Sequence, residues 1–184
     1  TPNDITAAAQ AAIAANPMPA FYIGMIDQTP IATSKNPFVD PSEYLYSLIY
    51  ALVWHSRGIN DVTARAQGHL PYGNDTRVYT SSALPAGTMQ WVNAGVGRYD
   101  SPPDAQNWIN RNYEPTGAVS YPILTLHTRF DQSVPFFHET DFGTLVANAG
   151  TSNWVVQRTI DRYGHCAFSV AEMLTAFSDL VNWV

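Results

Sequence analysis

With 184 residues, 46% of them hydrophobic, the chain is long enough to bury a core and too apolar to remain disordered. Only 13% of residues are charged and the net charge is -6, so no basic face exists to collect phosphates, which excludes nucleic acid and anionic membranes as natural partners. No apolar run approaches the roughly 18–20 residues that a membrane span needs.

Helix starts are written by a recurring signal: a capping residue, proline at the first helical position and an acid soon after. Thr1-Pro2-Asn3-Asp4 opens an alanine-rich helix that should end near Asn16-Pro17. Prolines at 17, 19, 30 and 37 make residues 17–39 read as loop. Asp40-Pro41-Ser42-Glu43 repeats the start signal, and Leu45, Leu48, Ile49, Leu52 and Val53 follow at helical spacing until Gly58 supplies a stop. Shorter helices are expected after Asn60, from Pro85 to about Arg98, and after Ser101-Pro102-Pro103-Asp104, so the first ~115 residues read as all-helical.

From Tyr121 the pattern changes. Tyr-Pro-Ile-Leu-Thr-Leu-His-Thr is a compact apolar run of the kind a buried parallel strand shows, ending near Thr128. Val134 to Asn148 suits a helix closed by Gly150, Trp154–Ile160 reads as a second strand, and Ser169-Val170-Ala171-Glu172 caps a last helix running to Val184. Strand, helix, strand, helix at this spacing is an α/β unit. Two strands cannot close a parallel sheet buried on both faces, so the rest of that sheet should come from elsewhere.

Asp131 falls just past the first strand and His165 just past the second, in a Tyr-Gly-His-Cys turn. Ligands of open α/β sheets bind at that edge. A carboxylate there can accept the ring N–H of an imidazole and fix its tautomer, leaving the other nitrogen as a general base. Taken singly, each residue has an ordinary alternative: an Asp that caps the following helix, and a His that belongs to a turn.

These residues carry a resemblance to the α/β-hydrolases. Pro-Ile-Leu-Thr-Leu-His-Thr-Arg-Phe-Asp-Gln-Ser-Val-Pro (122–135) is similar to their acid strand and loop, with Asp131 on the acid position. Asp161-Arg162-Tyr163-Gly164-His165 is similar to their histidine loop, and Glu172–Val184 to their last helix. The resemblance covers about residues 119–184. It implies an α/β fold that is the C-terminal part of an α/β-hydrolase, its last two strands with flanking helices, preceded by a mainly helical cap or lid over 1–118. It also implies a serine esterase or lipase-like enzyme on a small-molecule ester, with an amide as the further option, in which Asp131 orients His165. No cofactor and no metal are expected.

The family places its nucleophile in a Gly-x-Ser-x-Gly elbow between strand and helix, and no such pentapeptide occurs. Trp54-His55-Ser56-Arg57-Gly58 comes nearest, but Trp54 stands where a small residue is needed and a capped helix precedes it, so Ser56 is the weaker candidate. Ser81 and Ser82 lie in a loop without an elbow pattern. The expected nucleophile therefore lies upstream, and the start at Thr1-Pro2 without methionine reads as a processed or trimmed one. His127 and His138 read as packed or solvated side chains, and His55, His69 and His138 lack metal-ligand spacing. Cys166 defaults to a small hydrophobe, and its place beside the histidine resembles the His-Cys half of a pattern in tannases and feruloyl esterases, whose other half is absent. Cap aromatics Phe21, Tyr22, Tyr44, Tyr46, Tyr50, Trp54, Trp91 and Trp108 could line an acyl or aryl pocket, most of them serving as core.

Few lysines and many Asn, Thr, Tyr and Trp point weakly to an exported, secreted or periplasmic protein. A reading from a different class makes the chain a non-catalytic cap and assembly module that binds another polypeptide, because exposed strand edges seek partners. In either case the strand over Tyr121–Thr128 needs a cover: an N-terminal remainder of the same protein, or a second copy in a homo-oligomer.

Overall fold

A computed structural model describes residues 2–26, 29–30, 41–82, 84–85 and 87–184. By their internal contacts these fall into two units, one helical and one mixed. The helical unit holds α1 and α2, the chain from Leu52 to Glu114, and hence the second half of α3; the mixed unit holds α3 up to Ala51 and Pro115–Val184. Residues up to Ala51 of α3 thus group with the strands, whereas a division at 118/119 assigned all of them to the cap.

Helix α1, Pro2–Ala15, follows from its alanines and from proline in the first turn. The next segment corrects the expected loop: residues 17–26 form α2, Pro17–Ile26. Pro17 and Pro19 occupy its first turn, where a missing N–H costs nothing, and Asn16 Oδ1 accepts from the Met18 N–H at 3.3 Å as a cap. Residues 27–28 and 31–39 of that expected loop, and Asp40 of the next start signal, lie outside the described residues.

Helix α3, Pro41–Arg65, corrects a second expectation, because Gly58 does not stop it and the helix expected after Asn60 is its continuation. A solvent-facing glycine costs an α-helix only about 1 kcal/mol, which flanking turns absorb. The stop comes later, where Gln67 (φ 60°) and Gly68 (φ 85°) turn left-handed and the Gly68 N–H reaches the Thr63 carbonyl at 2.9 Å. The described residues between 66 and 87 are not helical, contrary to the all-helical reading. Side chains brace this stretch instead. Asn93 bonds both the N–H and the carbonyl of Tyr79, each at 2.8 Å, and Arg98 reaches the carbonyls of Asn74 and Arg77. The helices α4, Thr88–Gly95, and α5, Pro103–Asn112, complete the unit, with Pro102 rather than Ser101 in the capping position of α5.

In the mixed unit, β1 (Ile123–Phe130), α6 (Phe137–Asn148), a short 3-10 turn (Ser152–Trp154), β2 (Val155–Tyr163) and α7 (Val170–Trp183) follow in order. The two strands pair in parallel, Ile123 opposite Val155 through Thr128 opposite Ile160. Alternation puts Thr125 and Gln157 on one face, where both hydrogen-bond Glu139 of α6. Leu126 and Arg158 share the other face, where Arg158 pairs with Asp179 of α7. One helix therefore serves each face of a mixed α/β unit. Most strand residues are half-buried or exposed; Thr128 of β1 is buried, as are Val146 of α6 and Ala176 of α7. Among the described residues each strand is paired along one edge alone.

Candidate functional site

The ends of β1 and β2 are brought level by an irregularity in their pairing. Between Thr128 and Phe130 the first strand advances two residues while its partner advances three, from Ile160 to Tyr163. One extra residue in β2 is a bulge, which bends a strand and re-aims the residues beyond it. Tyr163 is thereby the last strand residue, and Gly164, at φ 112°, starts the turn that a residue with a Cβ rarely adopts. The Gly164 N–H donates to the Phe130 carbonyl at 3.1 Å, and its own carbonyl accepts from the Thr128 hydroxyl at 2.6 Å.

His165 then lies against Asp131, with Nδ1 to Oδ2 at 2.8 Å. The Asp131 side chain is 3% exposed and that of His165 42%. Asp131 Oδ1 accepts from the N–H groups of Ser133 and Val134, at 2.8 and 2.9 Å, so the carboxylate both closes its own turn and holds the imidazole. Facing a carboxylate, Nδ1 is placed to donate, and the other ring nitrogen, Nε2, lies within hydrogen-bonding range of Cys166 Sγ at 3.7 Å. Cys166 has a left-handed backbone, φ 51°, in this turn. Asp131 does not cap α6, whose capping position is Phe136 with no side-chain bond; its Oδ1 closes the turn at Ser133 and Val134 while Oδ2 faces His165.

The histidine loop is held at both ends by side chains. Ahead of it, the Tyr163 hydroxyl and the fully buried Ser47 hydroxyl of α3 are 2.7 Å apart. Arg162 bridges past it, donating through Nη1 to the Ala167 carbonyl and to Glu172 Oε2 and through Nη2 to Glu172 Oε1. Arg162, together with the backbone N–H and hydroxyl of Ser169, holds the Glu172 carboxyl down at about 2. Glu172 also completes the expected capping box of α7 with Ser169. Ser47 and Tyr163 lie 116 residues apart in the chain and Arg162 and Glu172 10 apart, so folding is what reveals these two contacts.

Compared with family models, curated proteins and solved structures, the chain finds no match.

The other candidates have ordinary local surroundings. Ser56 lies inside α3 with helix on both sides, so the strand-to-helix turn of a nucleophile elbow is missing there. Ser81 and Ser82 fall in the braced stretch before α4. His127 Nδ1 is 2.8 Å from the Thr128 carbonyl with its ring edge-on to Phe136, and His138 packs on Phe137. Among the described residues no three His, Cys, Asp or Glu side chains gather to hold a metal ion, and no helix is long and apolar enough to cross a membrane. Of the aromatics expected to line a pocket, Trp91 is 84% exposed and Tyr46 59%, while the side chains of Phe21 and Tyr44 lie outside the described residues. A shallow hollow of about 330 Å³ exists instead beside the acid loop, lined chiefly by Arg129, Phe130, Pro135, Phe136 and Phe137.

Proposed function

We propose that the mixed unit is the acid-and-histidine end of a serine-type carboxylic ester hydrolase. A single observation carries this reading: the 2.8 Å bond from His165 Nδ1 to a buried carboxylate whose second oxygen is already saturated by two N–H groups. A carboxylate so fixed can do one further thing, which is to hold the imidazole with Nδ1 protonated. His165 Nε2 then takes the proton of an attacking hydroxyl and returns it to the leaving alcohol, while Asp131 stabilises the imidazolium formed between. The first half-reaction leaves an acyl ester on the nucleophile; water, activated by the same nitrogen, releases the acid. The nucleophile belongs on a strand-to-helix elbow, which Ser56 in mid-helix does not provide, so the proposal assigns it to polypeptide outside these 184 residues. Amide substrates would follow the same steps.

The test compares the 184-residue chain with the longest natural polypeptide that contains it, using a chromogenic short-chain ester. Hydrolysis by the longer form, lost on His165→Ala and reduced about 10⁴-fold on Asp131→Asn, is the expected result. Robust turnover by the isolated chain that Ser56→Ala abolishes would overturn the assignment of the nucleophile.

A second reading, the non-catalytic assembly module, is favoured by a different observation. Val170, Leu174, Phe177 and Val181 form an exposed apolar stripe along α7, and β1 and β2 each leave one edge unpaired among the described residues. Native mass spectrometry distinguishes a bound, non-identical chain from a second copy, and a stable bare monomer would remove the reason for this reading.

A further inference from the structure

Resting on the reading of Asp131 and His165 as an acid–base pair, we infer that Thr128 is a positioning residue for the general base. Its hydroxyl sets the peptide plane from which His165 is hung. The Gly164 carbonyl and the His165 N–H belong to one rigid peptide unit. Thr128 Oγ1 donates to that carbonyl at 2.6 Å, and Thr128 is 1% exposed, so water offers no substitute on the donor side. The preceding N–H of Gly164 is held by the Phe130 carbonyl at 3.1 Å. Both polar backbone groups of Gly164 are therefore tied to β1, three residues and one residue ahead of Asp131. At φ 112° Gly164 has wide conformational freedom, and its backbone by itself would not choose this plane. The strand that delivers the acid thus also fixes the orientation of the base, and the ring of His165 arrives with Nδ1 facing Oδ2 rather than being pulled there by that bond alone.

The test reads the ring, not turnover. In the full chain with ¹⁵N-labelled histidine, the His165 signals are assigned as those missing from His165→Gln. The expected wild-type state has hydrogen on Nδ1, with a low-field proton that exchanges slowly with water. Thr128→Val, close to isosteric, should speed that exchange by about tenfold, the factor that a hydrogen bond of ordinary net strength represents, and admit the Nε2–H tautomer. Thr128→Ser should restore the wild-type pattern. Thr128→Ala removes the hydroxyl by a second route should the valine form not fold. A folded valine or alanine variant with an unchanged ring overturns the inference, and so does a chain that folds only with a hydroxyl at 128, since the group would then serve the fold and not the ring. Asp131→Asn is the control: if it too leaves the His165 ring unchanged, the acid–base pair itself is refuted, whereas a change there without one in Thr128→Val refutes the role of Thr128 alone.

Discussion

Replacing Asp131 by asparagine and by alanine separates its two tasks, because each task uses a different oxygen. Alanine removes both, leaving the N–H groups of Ser133 and Val134 without the acceptor they have at 2.8 and 2.9 Å, in addition to freeing His165. A buried donor left unpaired costs about 1–3 kcal/mol, and both contacts are partly screened by water, so the low end applies to each. With the lost bond to His165, Asp131→Ala should destabilise by about 3–4 kcal/mol. Asparagine keeps a carbonyl oxygen for the two N–H groups and turns its NH₂ toward the imidazole, which can accept only by shifting its proton to Nε2. That exchange should cost about 1–2 kcal/mol, the difference between a charge-assisted and a neutral hydrogen bond. Urea unfolding followed by tryptophan fluorescence, with matching slopes, gives both values. An alanine variant within about 0.5 kcal/mol of the asparagine one would mean that Oδ1 does not hold the turn, and the division of labour drawn here would be wrong.

Three further outcomes are expected. At Gly117, φ 74°, an added Cβ would lie 2.4 Å from the Leu145 carbonyl carbon of α6, so Gly117→Ala should cost at least about 2 kcal/mol by the same unfolding measurement, from left-handed strain plus displacement of the loop. Ser169→Ala removes the N-cap of α7 and should lower stability by about 1 kcal/mol, accompanied by faster amide exchange in the first turn of that helix. Glu172 is held at about 2 against an ordinary 4.5, so its contribution is complete above 4.5 and is lost as pH falls from about 4.5 to about 2. Thermal midpoints recorded across that interval should fall more steeply for the wild type than for Glu172→Gln, and parallel curves would show that the bridge to Arg162 contributes no pH dependence.

Local chemistry was enough to read the α/β succession from residue 121 onward. An apolar run after Pro122, the capping box Ser169–Glu172 and the polar turns at 131 and 165 are all local features, and local features survive in a one-dimensional record. Where two local signals competed, the reading failed. Pro17 and Pro19 look like breakers until their place in a first turn is known, and Gly58 looks like a stop although the decisive left-handed pair is Gln67-Gly68. Asp131 and His165 were legible as candidates because both follow strand ends. Their 2.8 Å approach depended on one residue of bulge in β2, and periodicity says nothing about register. The long-range supports of the histidine loop were not legible. Ser47 and Thr128 are ordinary residues in the sequence and acquire their roles only when segments 116 and 36 residues apart are brought within a hydrogen bond by tertiary packing, whereas Glu172 was legible as the acid of a capping box and only its bridge to Arg162 was not.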